Sequence, residues 1–190
     1  MKKNTIVKDT LILLAITLIS GLLLGLVYDI TKNPIAEAAE KAKQEAYAVV
    51  YPDAEFAADD ALTKALESFK ADDSDAKITE VMSANNGEGF VFSCEAKGYG
   101  GAIQLAVGVS KDSTITGLSV LSMSETPGLG AKCQDAGFQG NFKGIQSEKI
   151  STTKGDPEFD KLRISGATIT SGAVTRAVNA TLKFVAENAK

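Results

Sequence analysis

Histidine is missing from all 190 residues of this sequence, and so is tryptophan. Without histidine the chain cannot form a Ser-His-Asp or Cys-His catalytic centre, and it lacks the usual ligand of catalytic zinc. Only two cysteines occur, Cys94 and Cys133, and they form no Cys-x-x-Cys motif for zinc or an iron–sulfur cluster. They are interpreted either as a disulfide or as two buried thiols. Any chemistry of this chain therefore has to come from a bound cofactor.

An excess of charge of one sign is missing as well, because 20 basic and 24 acidic residues give a formal net charge of −4. Nucleic-acid binding normally uses a basic surface and aromatic side chains that stack on bases. Aromatic residues make up only 6% of the chain, so no nucleic-acid partner is expected. The length suits one compact domain with one additional element.

A long uncharged run near the N-terminus is this additional element. Residues 10–28 contain no charged side chain and are rich in leucine and isoleucine. As a helix rising about 1.5 Å per residue they would span about 28 Å, close to the ~30 Å hydrocarbon thickness of a bilayer. Lys2, Lys3 and Lys8 precede the run, so the positive-inside rule predicts a cytoplasmic tail at 1–9. We expect a single-pass protein of the cell (inner) membrane, with its globular part outside the cytoplasm.

A cleaved signal peptide is the alternative, because Ala36-Glu37-Ala38 has the small-x-small form of a cleavage site. Asp29 and Lys32 separate this site from the apolar run. The run is also longer than the roughly 7–15 apolar residues of a signal peptide. Both interpretations carry the rest of the chain across the membrane.

Extracytoplasmic linker helices are predicted within residues 29–76. Apolar residues recur at helical spacing from Ile35 to Val50, after Asn33-Pro34, and a weaker helical pattern covers 60–70. The acidic cluster Asp72-Asp73-Ser74-Asp75 then indicates a solvated loop.

Residues 77–190 form the predicted globular domain, which is of the α+β class. Two antiparallel hairpins are expected from alternating patterns at 77–84, 90–95, 103–109 and 114–123. The first hairpin has its predicted turn at Asn85-Asn86-Gly87. An amphipathic C-terminal helix follows, with Ser171 or Thr170 as the expected N-cap.

The segment just before this helix, Ser165-Gly166-Ala167-Thr168-Ile169-Thr170-Ser171, carries the most chemical information. Its small residues leave the Thr168 hydroxyl open to a bulky group, and Gly166 allows an unusual backbone angle. From the residues alone, an ordinary capped helix start is the alternative interpretation.

This segment resembles the flavinylation motif of the FMN-binding subunits in Rnf and sodium-pumping NADH:quinone reductase complexes. In that family a flavin transferase moves FMN from FAD onto the last residue of the Ser-Gly-Ala-Thr tetrad and leaves a phosphodiester. The resemblance implies FMN covalently bound to Thr168, in a site that includes Ser165, Gly166 and Ala167. A phosphodiester two or three residues ahead of a helix would face its free N–H groups.

A second stretch, Ser124-Glu125-Thr126-Pro127-Gly128-Leu129-Gly130, resembles the Glu-Thr-Pro-Gly-x-Gly loop of the same family. By its residues alone it is a tight turn after a strand. The resemblance implies that Glu125, Thr126, Gly128 and Leu129 contact the cofactor.

Lys97-Gly98-Tyr99-Gly100-Gly101 is a third family-like element, for which a purely structural role is the alternative. Phe138 and Phe142 are expected in the core, with cover for the isoalloxazine ring as the alternative. One position departs from the family pattern: an Asp often lies three residues before the tetrad, where this chain has Leu162, and the nearest acid is Asp160.

The resemblance covers the whole chain and implies an electron-transfer subunit of a membrane-bound Rnf-type ion-translocating ferredoxin:NAD oxidoreductase complex. The implied partners are the other membrane subunits and the flavin transferase. The chain has no Gly-x-Gly-x-x-Gly motif for NAD and no charge in its apolar run, so it is not expected to catalyse the overall reaction alone. The alternatives are the equivalent subunit of a sodium-translocating NADH:quinone reductase and a cofactor-free, membrane-anchored binding domain.

Overall fold

The computed structural model describes residues 2–84 and 88–188, with side chains from Ile6 onward, so the predicted turn at 85–87 lies outside the described residues. The helices and strands follow the order expected for an α+β domain, which confirms the predicted class. They are α1 (Lys2–Val50), β1 (Phe56–Ala57), α2 (Asp60–Ser68), β2 (Ala76–Ala84), β3 (Gly89–Lys97), β4 (Ala102–Ser110), β5 (Ile115–Ser122), a 3₁₀ helix (Gly130–Gln134), α3 (Ala136–Gly140), α4 (Pro157–Lys161) and α5 (Thr168–Asn188).

Helix α1 is divided between two compact units, one that ends at Ala42 and one that begins at Lys43. Within the described residues, α1 is the one helix long and apolar enough to cross a membrane, with a mean hydropathy of 2.6 in its most apolar window. A signal sequence near an N-terminus meets the same criterion. Pro34 lies inside α1 and does not open a new helix, although an interior proline removes one backbone hydrogen bond of the helix.

The five strands form one antiparallel sheet in the order β1-β2-β3-β4-β5. The second hairpin, β4–β5, is confirmed, and β2 pairs with β3 as the first hairpin requires. Helix α5 packs on one face against β2, β3 and β4. Phe92, Leu105 and Leu182 are fully buried between them, so this face contains the main core.

The opposite face of the sheet is covered by the end of α1. Tyr47 and Val50 form a second core with Val91 and Ala106. The Tyr47 hydroxyl forms hydrogen bonds of 2.8 Å with Glu80 Oε2 and with Ser93 Oγ. Strand β3 is consequently buried on both faces, although its alternating pattern alone would suggest one buried face.

Cys94 and Cys133 are both buried free thiols. The disulfide interpretation is therefore wrong, and the interpretation as buried thiols is confirmed. Removal from water raises the pKa of the Cys133 thiol to about 11 and also raises that of Cys94 well above its usual value. Both thiols stay protonated and unreactive at neutral pH.

Three short helical elements between β5 and α5 are absent from the sequence prediction. Phe138 of α3 and Phe142, just after this helix, lie in the core, with their ring centroids 5.5 Å apart in an edge-to-face contact. Phe142 is fully buried, so the alternative in which it covers a flavin ring is wrong. Helix α4 begins after Asp156, whose carboxylate accepts the Glu158 N–H at 2.9 Å.

Because α1 packs closely on the sheet, we predict that the stability of the fold is sensitive to a larger side chain at Gly117. A Cβ there would lie 2.7 Å from Val50 Cα, so Gly117→Ala should lower the free energy of unfolding by about 1–3 kcal/mol. Urea unfolding of the full chain in detergent micelles measures this. Gly137→Ala is the matched control, because its Cβ would meet nothing within 4 Å, and it should leave stability unchanged or slightly raised. Equal stability of Gly117→Ala and the wild type would contradict the close packing.

Candidate functional site

A cleft of about 490 Å³ lies where two loops of the second unit meet the start of α5. This volume is in the range of roughly 300–1,000 Å³ that is typical of ligand pockets. The loop after β3, the loop after β5 and the start of α5 form it, and these are the three segments selected from the sequence. The lining residues are Tyr99, Glu125, Thr126, Leu129, Gly130, Gly166, Ala167, Thr168, Ile169 and Thr170.

Glu125 ties these three segments together. Its side chain is buried, and its Oε1 atom accepts the backbone N–H groups of Tyr99 at 2.9 Å and Gly100 at 3.0 Å. Its Oε2 atom accepts the Thr170 hydroxyl at 2.6 Å. Hydrogen bonds to an ionised carboxylate are roughly twice as strong as neutral ones. Both oxygens are occupied by the protein, so Glu125 holds the walls of the cleft in place.

Glycine is required at several positions of these walls, of which Gly130 and Gly166 line the cleft. A Cβ at Gly130 would lie 2.5 Å from Glu125 Oε2 and 2.6 Å from Thr170 Oγ1, so a side chain there would break their hydrogen bond. Gly166 has φ +82°, in the left-handed region that favours glycine, which confirms the unusual backbone angle expected for it.

Helix α5 begins at Thr168, so this residue is the first of the helix and does not precede it. The expectation of a Thr170 or Ser171 N-cap is wrong, because both lie inside the first turn and their hydroxyls form other contacts. Ser171 Oγ accepts the Ile164 N–H at 2.9 Å and donates to the Ala167 carbonyl at 3.0 Å, which closes the loop before the helix.

The four hydroxyl groups of this segment differ in their availability. Those of Thr170 and Ser171 are buried and hydrogen-bonded, whereas those of Ser165 and Thr168 have no hydrogen-bond partner among the described residues. Of these two, only Thr168 lines the cleft. Thr168 therefore presents the one free hydroxyl at the cleft in the segment 165–171.

The start of α5 also provides a favourable electrostatic environment for an anion. The first backbone bond of the helix runs from Ser171 N to the Ala167 carbonyl at 3.0 Å. The N–H groups of Thr168, Ile169 and Thr170 precede it, at the positive end of the helix dipole. A phosphate on the Thr168 oxygen would be next to these donors.

The position that departs from the family pattern serves the core. Leu162 is buried, and Asp160 forms an ion pair with Arg163, with 3.0 Å between Oδ1 and Nε. Neither residue lines the cleft. No cluster of three or more metal-ligating side chains occurs within residues 2–84 and 88–188.

Two protein families match this chain. Residues 98–183 match the family described as an FMN-binding domain, and residues 1–50 match the RnfG N-terminal region. The first match includes all three segments that line the cleft. The FMN-binding domain match is therefore consistent with the cleft as the cofactor site.

Individual relatives extend the similarity over nearly the whole chain. One, the G subunit of the proton-translocating ferredoxin:NAD(+) oxidoreductase complex of Clostridium ljungdahlii, is 30% identical over 96% of this chain and 93% of its own. The G subunit of the ion-translocating oxidoreductase complex of Aliivibrio fischeri is 30% identical over 95% of this chain and 90% of its own. The protein of the same name from Methanosarcina acetivorans is 43% identical over 55% of each chain.

Glu125 acts as a clamp, because it binds the loop after β3 and the first turn of α5 at the same time. The free energy of unfolding of Glu125 variants tests this role. Glu125→Ala leaves two N–H groups and the Thr170 hydroxyl without their acceptor and should lower the free energy of unfolding by about 3 kcal/mol. Glu125→Gln keeps an acceptor oxygen and should lose about 1 kcal/mol. Chemical unfolding of the full chain in micelles measures both, with the exposed Glu148→Ala as control. Equal losses for Glu125→Ala and Glu148→Ala would contradict the clamp.

Proposed function

Since this chain belongs to the family of G subunits of Rnf-type ion-translocating oxidoreductase complexes, we propose that it is the subunit that carries FMN and passes electrons within such a complex. The proposed complex is a membrane-bound ferredoxin:NAD oxidoreductase coupled to ion transport. The Clostridium ljungdahlii relative is named for protons, and a relative from Acetobacterium woodii is named for Na⁺. Relatives of this subunit thus occur in complexes that are named for different ions.

The proposed attachment point of FMN is the Thr168 oxygen, through a phosphodiester. The observation that carries this proposal is that Thr168 has the one unpartnered hydroxyl at the cleft within the segment 165–171. The link requires a separate flavin transferase as a further partner. Free N–H groups at the start of α5 would stabilise the phosphate.

The residues of the cleft fit a flavin nucleotide. Thr168 would hold the phosphate end, with Ser165, Gly166 and Ala167 leaving space around it. Thr126 and Leu129 line the cleft and would contact the rest of the cofactor, together with the exposed Gly128 between them, which does not itself line the cleft. Glu125 keeps their loop in place. When bound, FMN supplies one- and two-electron transfer, for which this chain has no side chain of its own.

The two alternative functions are less well supported. The Clostridium ljungdahlii and Aliivibrio fischeri relatives, which match over nearly the whole chain, are G subunits, and this favours an Rnf complex over the sodium-translocating quinone reductase. The FMN-binding domain match argues against a cofactor-free binding domain. Identification of the membrane proteins that copurify with the full chain separates the two redox complexes.

The Thr168 proposal is tested by intact-mass spectrometry of the full chain produced together with a flavin transferase. Wild-type protein should gain the mass of one FMN phosphoryl adduct, and its denatured gel band should fluoresce. Thr168→Val is nearly isosteric, so it should keep the fold and lose the adduct. Thr153→Val, at an exposed loop threonine, is the control and should keep it. An adduct retained by Thr168→Val would show that another residue is the acceptor.

We also propose the membrane topology: a cytoplasmic tail at 1–9, a transmembrane helix at 10–28, extracytoplasmic linker helices within 29–76 and the FMN-binding domain at 77–190. The compact second unit begins earlier, at Lys43, because the end of α1 packs on the sheet. The basic residues before the apolar run support the orientation.

This orientation is tested with Thr153→Cys and a membrane-impermeant maleimide. Because Cys94 and Cys133 are buried with raised pKa values, the exposed new cysteine should be the reactive thiol. Labelling is expected in right-side-out vesicles and not in sealed inverted vesicles. The wild type is the control and should remain unlabelled until it is denatured. Labelling only in inverted vesicles would reverse the proposed topology.

A further inference from the structure

Large apolar side chains are exposed around the cleft. Among the described residues from Lys43 onward, four such side chains are strongly exposed: Tyr99 (72%), Val49 (66%), Ile169 (54%) and Leu129 (46%). All but Val49 line the cleft beside Thr168. Burial of large apolar side chains is favourable, so leaving three of them in water at one place has a cost. A cluster of three at one place therefore indicates a surface that another apolar group covers.

Tyr99 combines a fixed backbone with a free ring. Its N–H and that of Gly100 are held by Glu125 Oε1, and Gly98 N donates to the Gly101 carbonyl at 2.8 Å. The Tyr99 ring and hydroxyl have no ring contact or hydrogen bond with any other described residue. Such a side chain loses little backbone freedom when it binds a flat partner.

Away from the start of α5, the few charges of the cleft suit an uncharged, planar group. Glu125 is the one charged residue among those that line it, and both of its oxygens bind protein groups. A second cleft, of about 440 Å³, presents a different surface along the C-terminal half of α5. Seven charged side chains line that cleft: Asp72, Asp73, Glu148, Lys149, Arg176, Lys183 and Glu187. A flat aromatic ring is therefore favoured at the first cleft.

We infer that the Tyr99 ring stacks on the isoalloxazine of FMN, while Leu129 and Ile169 cover its apolar edge. This inference rests on the proposed attachment of FMN to Thr168. Ile169 directly follows the proposed attachment residue, Thr168. A side-chain carbon of Leu129 lies 3.3 Å from the position that a Cβ would take at Gly166. These side chains and Tyr99 line the same cleft as Thr168. Tyr99 is then a positioning residue that fixes the plane of the ring.

Flavin fluorescence provides a readout that a purely structural role would not change. A tyrosine stacked on an excited flavin quenches it by electron donation, whereas phenylalanine is a poor electron donor. In the folded full chain with FMN attached, Tyr99→Phe and Tyr99→Leu should raise the fluorescence per mole of bound flavin several-fold. Tyr99→Trp should keep it quenched. Tyr51→Phe is the matched control, because Tyr51 packs on the opposite face of the sheet, and it should leave the fluorescence unchanged.

The mass of each variant is measured first, so that the two proposals can fail separately. An unmodified wild-type mass would overturn the attachment and the stacking together. An attached FMN whose fluorescence is the same in the wild type, Tyr99→Phe and Tyr99→Leu would overturn the stacking alone. Equal fluorescence of all variants after unfolding is the expected result if the quenching depends on the folded cleft.

Discussion

A buried carboxylate needs hydrogen-bond donors for both of its oxygens, and Glu125 finds them in two segments that are distant in the chain. One oxygen holds the backbone that follows β3, and the other holds the first turn of α5. Separation of either segment would leave one oxygen of this buried carboxylate without its donor, at a cost of about 1–3 kcal/mol. The walls of the cleft are therefore coupled through the Glu125 side chain. Position 130 requires glycine because Glu125 and Thr170 fill the space that a Cβ would take there.

Helix α5 connects this cleft with the core. Its inward face buries Val174, Val178 and Leu182 against the sheet, and its first turn presents Thr168 at the cleft. The position of the Thr168 hydroxyl is thus determined by the packing of the whole helix on the sheet, together with the bonds of Ser171 to the loop that precedes it. The end of α1 stiffens the same sheet from its other face, so the strands that support α5 are fixed on both sides.

Sequence patterns that act over short distances predicted the hairpins, the C-terminal helix and the fold class, because alternation and helical periodicity are local signals. The predicted start of α5 is three or four residues too late, because the helix begins at Thr168. Thr170 and Ser171 look like helix caps, but their hydroxyls are used by Glu125 and Ile164, which are tertiary contacts. Helices α3 and α4 have five residues each, too few for a periodic pattern. The exposure of Tyr99 and the clamp on its backbone are visible only in three dimensions, although the glycines around it marked the segment.

The rigid first turn of α5 also restricts how any enzyme can reach Thr168. Many modified residues lie on loose peptides that can be drawn into a foreign active site in an extended form. Here Thr170 and Ser171 are 1% and 0% exposed, so extraction of the segment would break their bonds to Glu125 and Ile164 and begin to unwind the helix. Under the proposed attachment of FMN to Thr168, a flavin transferase would therefore have to dock on the folded domain and deliver its group from the solvent side. Folding would then precede the attachment of FMN, and a misfolded chain would remain without its cofactor.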